Sequence, residues 1–115
     1  MATRIYHNPK CSTSRKVLDA LRVAGEEPEI IEYLKTPPTK AELKDLLKRM
    51  KMRPRDLLRK KEALYNELKL DDEKKTDEQI IEAMLKNPIL IERPIVATKK
   101  GVRLARPPEI VNEIL

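Results

Sequence analysis

The chain has one cysteine, one histidine, no phenylalanine and no tryptophan in 115 residues. Each scarcity removes a class of protein. A single thiol excludes an internal disulfide framework and a dithiol redox pair, and one Cys with one His cannot supply a zinc cluster. It also suits a reducing compartment, so a cytoplasmic protein is expected. Three tyrosines are the only aromatic residues, which makes any core aliphatic and leaves little on which nucleobases could stack. No apolar run approaches the ~18 residues of a membrane span, and the opening MATRIYHNPK has no apolar leader segment. No membrane association is expected.

What is abundant is charge: 38% of the residues are charged and the formal net charge is +6. Residues 44–61 carry nine basic and two acidic residues, and 62–82 carry eight acidic and three basic. A basic block can be a nucleic-acid footprint, a solvated helix face, or a source of arginines turned inward toward a small anion. Without interleaved aromatics or a nucleic-acid-binding motif spacing, the solvated face fits better, and no nucleic-acid partner is expected.

The length fits one domain, 1–115. Residues 3–6 form a strand candidate. A helix is predicted from Thr13 to Ala24, with Val17, Leu18, Leu21 and Ala24 on one face and Gly25 as its stop. EIIEYL, 29–34, is a second strand, completing a β-α-β unit with parallel strands. A helical insertion follows over about 39–87. Thr39 with Glu42 and Thr76 with Gln79 have capping-box spacing, Pro54 opens a short helix, and Asn87-Pro88 ends the block. PIVAT, the turn KKG and VRLA read as a hairpin, and PPEIVNEIL as a closing helix. The order β-α-β, helical insertion, β-β-α is that of an α/β thioredoxin-like fold, a mixed sheet flanked by helices.

In such a fold, chemistry sits where the first strand turns into the first helix, and HNPKCSTSRK places Cys11 there. Helix N-terminal N–H groups stabilise an anion, and Lys10, Arg15 and Lys16 add positive charge, so the thiol is expected to ionise readily. The alternative is a buried structural cysteine acting as a small hydrophobe. Its polar neighbours Asn8, Lys10, Ser12 and Ser14 argue against burial. The stretch C-S-T-S puts Ser14 where a dithiol site has its second cysteine, and Arg15 comes too early for the C-x5-R of a tyrosine phosphatase. His7 is the sole histidine that could assist the thiol, and serves equally well as a local hydrogen-bonding residue.

Arg93 in ERPIV and Arg106 in ARPPE each precede a proline, which holds their backbone extended. One lies at each end of the hairpin. Two fixed guanidinium forks near a thiolate would grip a tetrahedral oxyanion bidentately; ordinary surface arginines are the other reading.

These residues carry a resemblance. IYHNPKCSTSR resembles the active-site signature of the glutaredoxin-coupled arsenate reductase family, also called the arsenate reductase C family. RDLLRKK resembles its mid-chain arginine segment, and PILIERPIVATKKGVRLARPPE its C-terminal core. The likeness runs over essentially the whole chain. It implies that Cys11 is the nucleophile, that His7 supports the thiolate, and that Arg59, Arg93 and Arg106 bind and stabilise the oxyanion. Ser14 and Arg15 join the expected substrate-binding set. The family relationship also implies a cis Arg93–Pro94 bond, arsenate as substrate, glutathione as co-substrate and glutaredoxin as partner. No bound cofactor or metal is expected, and a monomer is the expected working unit. The family includes thiol reductases without clear arsenate activity, and a regulatory branch that binds RNA polymerase; members of that branch typically carry C-x-x-C, which Ser14 interrupts here.

Overall fold

The computed structural model describes residues 2–115. Strand β1, Arg4–His7, turns Ile5, Tyr6 and His7 into the interior. It pairs in parallel with β2, Glu29–Glu32, and antiparallel with β3, Ile95–Thr98, which in turn pairs antiparallel with β4, Gly101–Leu104. Among the described residues these make one mixed sheet in the order β2-β1-β3-β4. This is the central sheet of a thioredoxin-like fold. The two central strands are the buried ones, and the edge strand β2 carries Glu29 and an exposed Ile30.

Helix α1, Ser12–Val23, connects β1 to β2. Its Val17, Leu18 and Leu21 join Ile5, Val96, Ala105, Val111 and Ile114 in one aliphatic cluster. Ile5 and Val96 are cross-strand partners, so α1 and the C-terminal segment lie over the same face of the sheet. The fourth residue expected on that stripe, Ala24, is exposed; the helix has already ended there. The chain leaves α1 with Gly25 at φ 86°, its N–H donating to the Arg22 carbonyl and that of Glu26 to Leu21. That pair of bonds satisfies the last helical carbonyls and needs the left-handed backbone glycine adopts without strain. The closing helix is a 3-10 helix, Pro108–Ile114, rather than an α-helix. Pro107 and Pro108 remove two backbone donors at its start, while Val111 and Ile114, three apart, point inward at the three-residue period of that helix.

The chain packs as two compact units, one running to Thr36 and resuming at Arg93–Leu115, the other Pro37–Glu92. In the second unit both capping boxes form, opening α2, Lys40–Met50, and, beyond the short α3, Ala63–Glu67, also α4, Asp77–Lys86. Leu43, Leu46 and Leu47 are the buried residues of α2, and Ile80, Ile81 and Met84 those of α4. Lys40 and Lys44 bridge α2 to Glu78 and Glu82 on α4. Helix α3 buries no residue, which is why no apolar period announced it. The arginines of the basic block are largely engaged within the unit: Arg49 with Asp45, Arg53 with Asp56, and Arg55 with the carbonyls of Leu70, Asp72 and Lys75. Among the described residues no helix is long and apolar enough to cross a membrane.

Candidate active site

Strand register assembles the site. The β3–β4 ladder pairs Ile95 with Leu104 and Val96 with Arg103, so extending it by two residues sets Arg93 opposite Arg106. Ala105 N–H donating to the Pro94 carbonyl at 2.9 Å carries the pairing one step beyond the strands. The β1–β3 ladder pairs Tyr6 with Ile95, and the same extension sets Asn8 opposite Arg93. The loop after β1 therefore leaves the sheet at the end where both arginines enter. Residues 95 positions apart in sequence meet there for a geometric reason.

Cys11 is the residue immediately before α1, in extended conformation, and is half-buried. Its backbone N–H donates to Asn8 O and its carbonyl accepts the first helical bond from Arg15, both at 3.0 Å, which fixes the sulfur at the helix mouth. Burial pushes the thiol up. The Ser14 backbone N–H, then the Arg93 and Arg106 guanidinium groups, stabilise the thiolate and outweigh it, holding the pKa at about 7 against an ordinary 9.0. Arg106 Nη1 lies 3.8 Å from Cys11 Sγ and 3.0 Å from the Arg93 carbonyl oxygen, so one guanidinium tethers both segments. Arg93 is itself buried, including its Nε and Nη1 atoms. The bonds Arg93–Pro94 and Arg106–Pro107 are both cis; the resemblance implied the first and nothing in the sequence pointed to the second.

His7 takes the local role of the two left open. Its Nδ1 lies 2.6 Å from Ser14 Oγ, and that hydroxyl also accepts the Asn8 N–H at 3.1 Å. Burial lowers the His7 pKa, and Arg22 and Arg15 add to this against Glu32, so the ring is neutral at pH 7. Ser14 is thus bonded through its side chain to His7 and through its backbone N–H to the sulfur. Any support His7 gives the thiolate runs through Ser14. The polar neighbours that argued for an exposed loop are partly buried: Asn8 and Ser14 are interior, while Lys10 and Ser12 are exposed. Buried polar groups are acceptable there because each is hydrogen-bonded.

Arg15 and Arg59 each have hydrogen-bond partners of their own. Arg15 is exposed and donates through Nη1 to the Pro9 carbonyl at 2.8 Å, bracing the loop. Arg59 belongs to the Pro37–Glu92 unit, where Glu62 and Glu92 accept its Nε and Nη1 hydrogens. Sequence reasoning passed over Asn8, whose side chain accepts the Lys10 N–H and whose carbonyl accepts that of Cys11; the Asn-Pro dipeptide was its only signal. It also passed over Glu92, 33 positions from the arginine it binds. Among the described residues no group of three or more His, Cys, Asp or Glu is placed to hold a metal ion.

What this arrangement can do is hold a half-ionised thiolate beside two guanidinium groups, a setting for covalent attack on a compact anion. Comparison with known proteins narrows the family. The arsenate reductase of Escherichia coli K12 is 54% identical over 111 residues, covering 96% of this chain and 79% of that protein. From the same strain, the protein named "Uncharacterized protein YfgD" is 50% identical over 113 residues, covering 97% of this chain and 95% of its own length. The solved arsenate reductase from Vibrio cholerae superposes with a TM-score of 0.96 at 46% identity, covering 100% of this chain and 98% of that one. The ArsC family model matches residues 6–114, spanning the Cys11 loop, the helical unit and both proline-linked arginines, and the chain belongs to that family.

Proposed function

We propose that the protein reduces arsenate to arsenite through a covalent adduct on Cys11, with glutathione as electron donor and glutaredoxin as the partner that resets the thiol. The observation that carries this reading is Cys11 at the mouth of α1 with Arg106 Nη1 3.8 Å from its sulfur, where the Ser14 N–H, Arg93 and Arg106 hold the thiol at about 7. About half of it is ionised at pH 7, where an ordinary thiol is a few per cent ionised. The arginine charge that stabilises the thiolate also suits an arsenate dianion, and the relatives named arsenate reductase support that substrate.

In the first step the thiolate attacks arsenic and one arsenate oxygen leaves as water, forming a Cys11 S–As(V) bond while Arg93 and Arg106 balance the oxygen charge. Glutathione thiolate then attacks the Cys11 sulfur. The S–As pair of electrons goes to arsenic, which leaves as arsenite, and Cys11 is left in a mixed disulfide with glutathione. Glutaredoxin takes the glutathionyl group by thiol–disulfide exchange and frees Cys11. Electrostatic stabilisation by preorganised guanidinium groups is the largest catalytic contribution, and Cys11 supplies the covalent chemistry. Arg59 completes the oxyanion set, with the Ser14 N–H beside the sulfur. Phosphate matches arsenate in shape and charge but cannot be reduced, so it competes without turning over. The reaction needs no bound cofactor or metal and is placed in the cytoplasm, with a monomer as the working unit.

A coupled assay with arsenate, glutathione, glutaredoxin, glutathione reductase and NADPH tests the proposal. Arsenate-dependent NADPH oxidation in wild type, abolished in Cys11→Ser, is expected. Glutathione-dependent disulfide reduction with no arsenate turnover would replace the reading with a thiol reductase, and neither activity, alongside a captured polymerase subunit, with a regulator.

A further inference from the structure

Asn8 holds the Cys11 loop with three of its polar groups and leaves a fourth unused. Its N–H donates to Ser14 Oγ at 3.1 Å, its carbonyl accepts the Cys11 N–H at 3.0 Å, and its side-chain Oδ1 accepts the Lys10 N–H at 3.0 Å. The last bond orients the amide: a main-chain N–H can meet only the oxygen, so Nδ2 is turned to the other side. Neither Nδ2 hydrogen has an acceptor among the described residues, in a residue that is only 4% exposed. The sulfur does not take it either, since its hydrogen bonds come from the Ser14 N–H, Arg93 and Arg106. Buried amides are rarely left this way, because an unused donor forfeits its bond to water. The position of Asn8 says what this donor serves. The Cys11 N–H bonded to the Asn8 carbonyl closes a four-residue turn, 8–11, which keeps the two Cα atoms within ~7 Å. Extended past their ends, the strand ladders set Asn8 opposite Arg93 and Arg93 opposite Arg106, one row across the end of the sheet. All three belong to the same compact unit as Cys11.

We infer that Asn8 is a further oxyanion-binding residue, its Nδ2 donating to an oxygen of the tetrahedral anion held beside the Cys11 sulfur. This rests on the proposed attack of Cys11 on an oxyanion. The part it plays differs from that of the arginines. Arg93 and Arg106 stabilise the thiolate as well as the anion, so their charge also lowers the basicity of the nucleophile. A neutral amide donates to the anion without adding charge near the sulfur, which is how side-chain amides serve oxyanion holes elsewhere. It also does not titrate, so its contact is the same on either side of the Cys11 midpoint.

The test uses inorganic phosphate as a non-reacting probe on the full chain. Alkylation of Cys11 by iodoacetamide is followed at constant ionic strength as phosphate is added, and the half-protecting concentration is read; it does not depend on the intrinsic alkylation rate. The pH midpoint of alkylation without phosphate is read alongside it. Asn8→Ser keeps a neutral oxygen that can accept the Lys10 N–H but has no amide donor. It should raise the half-protecting concentration about tenfold, the scale of one hydrogen bond to a charged group, and leave the midpoint near 7. Asn8→Asp keeps the shape and the acceptor while replacing the donor by a carboxylate oxygen, and should abolish protection. Unchanged protection in Asn8→Ser, with Arg106→Ala weakened, overturns the role of Asn8 and leaves the oxyanion site standing. A displaced midpoint in Asn8→Ser means that the side chain acts on the loop and not on the anion, and overturns the assignment too. Should circular dichroism show Asn8→Ser unfolded, Asn8→Asp decides, and protection at wild-type strength there overturns the donation. No protection of wild type by phosphate overturns the oxyanion site together with this inference.

Discussion

At Cys11 burial and hydrogen bonding pull in opposite directions, and the donors win. Iodoacetamide reactivity should therefore titrate with a midpoint near 7, and Arg106→Ala should move it upward, toward the ordinary 9.0. The same preference appears in stability. The folded chain favours the thiolate, so this contribution is fully present above the unfolded thiol's pKa and is lost as pH falls through about 7. Between pH 7 and 9, wild type should gain stability relative to Cys11→Ser in denaturant titrations; parallel curves would contradict the assignment. In turnover, Arg93→Ala and Arg106→Ala should each lose orders of magnitude, since removing a transition-state charge donor costs ~3 kcal/mol. Exposed Arg22 on α1 is the control, and Arg22→Ala should cost almost nothing; equal small losses in all three would remove the oxyanion site. Ser14→Ala deprives His7 Nδ1 and the Asn8 N–H of their shared partner and should destabilise by ~1–3 kcal/mol. It should also slow Cys11 alkylation by loosening the loop, and an unchanged rate would confine Ser14 to a structural role.

Elements were legible where a local rule determined them. Thr39 with Glu42 and Thr76 with Gln79 form the boxes their spacing predicts, because both partners lie within one turn. Helix α1 matches its apolar period, although its boundary falls at Ser12–Val23 and leaves Ala24 outside. The C-terminal segment was read as a helix but not as a 3-10 helix, since Val111 and Ile114 suit either period. Helix ends supply a prediction of their own. Lys51 closes α2 at φ 56°, and Lys69 follows α3 at φ 53°, both left-handed and both lysine. The Met52 N–H donating to Leu47 and that of Leu70 to Tyr65 show the same terminal bonding that Gly25 provides after α1. Left-handed backbone costs a side-chain-bearing residue ~1 kcal/mol or more, partly offset by glycine's larger unfolded entropy. Lys51→Gly and Lys69→Gly should each raise unfolding stability by about 0.5–1 kcal/mol, read from thermal or urea transitions. A loss in either would mean the lysine side chain does more than cap.

For the whole molecule, the order β-α-β, helices, β-β-α was readable because each piece carries its own period and its own punctuation. Partners were not. Nothing local tells that His7 Nδ1 meets Ser14 rather than Cys11, or that Glu92 reaches Arg59; those contacts follow from strand register and a short antiparallel bridge. The lone cysteine was the most informative residue, and it also sets the central claim. With no second thiol in the chain, the electrons that finish the reduction must come from another molecule's thiol. The direct measurement is intact-protein mass spectrometry after incubation with arsenate and glutathione, glutaredoxin omitted, followed by peptide mapping. One glutathione per chain, located at Cys11 and removed on adding glutaredoxin, is the predicted result. Sustained turnover of arsenate with no external thiol, or an unmodified Cys11 in a chain that is producing arsenite, would contradict it.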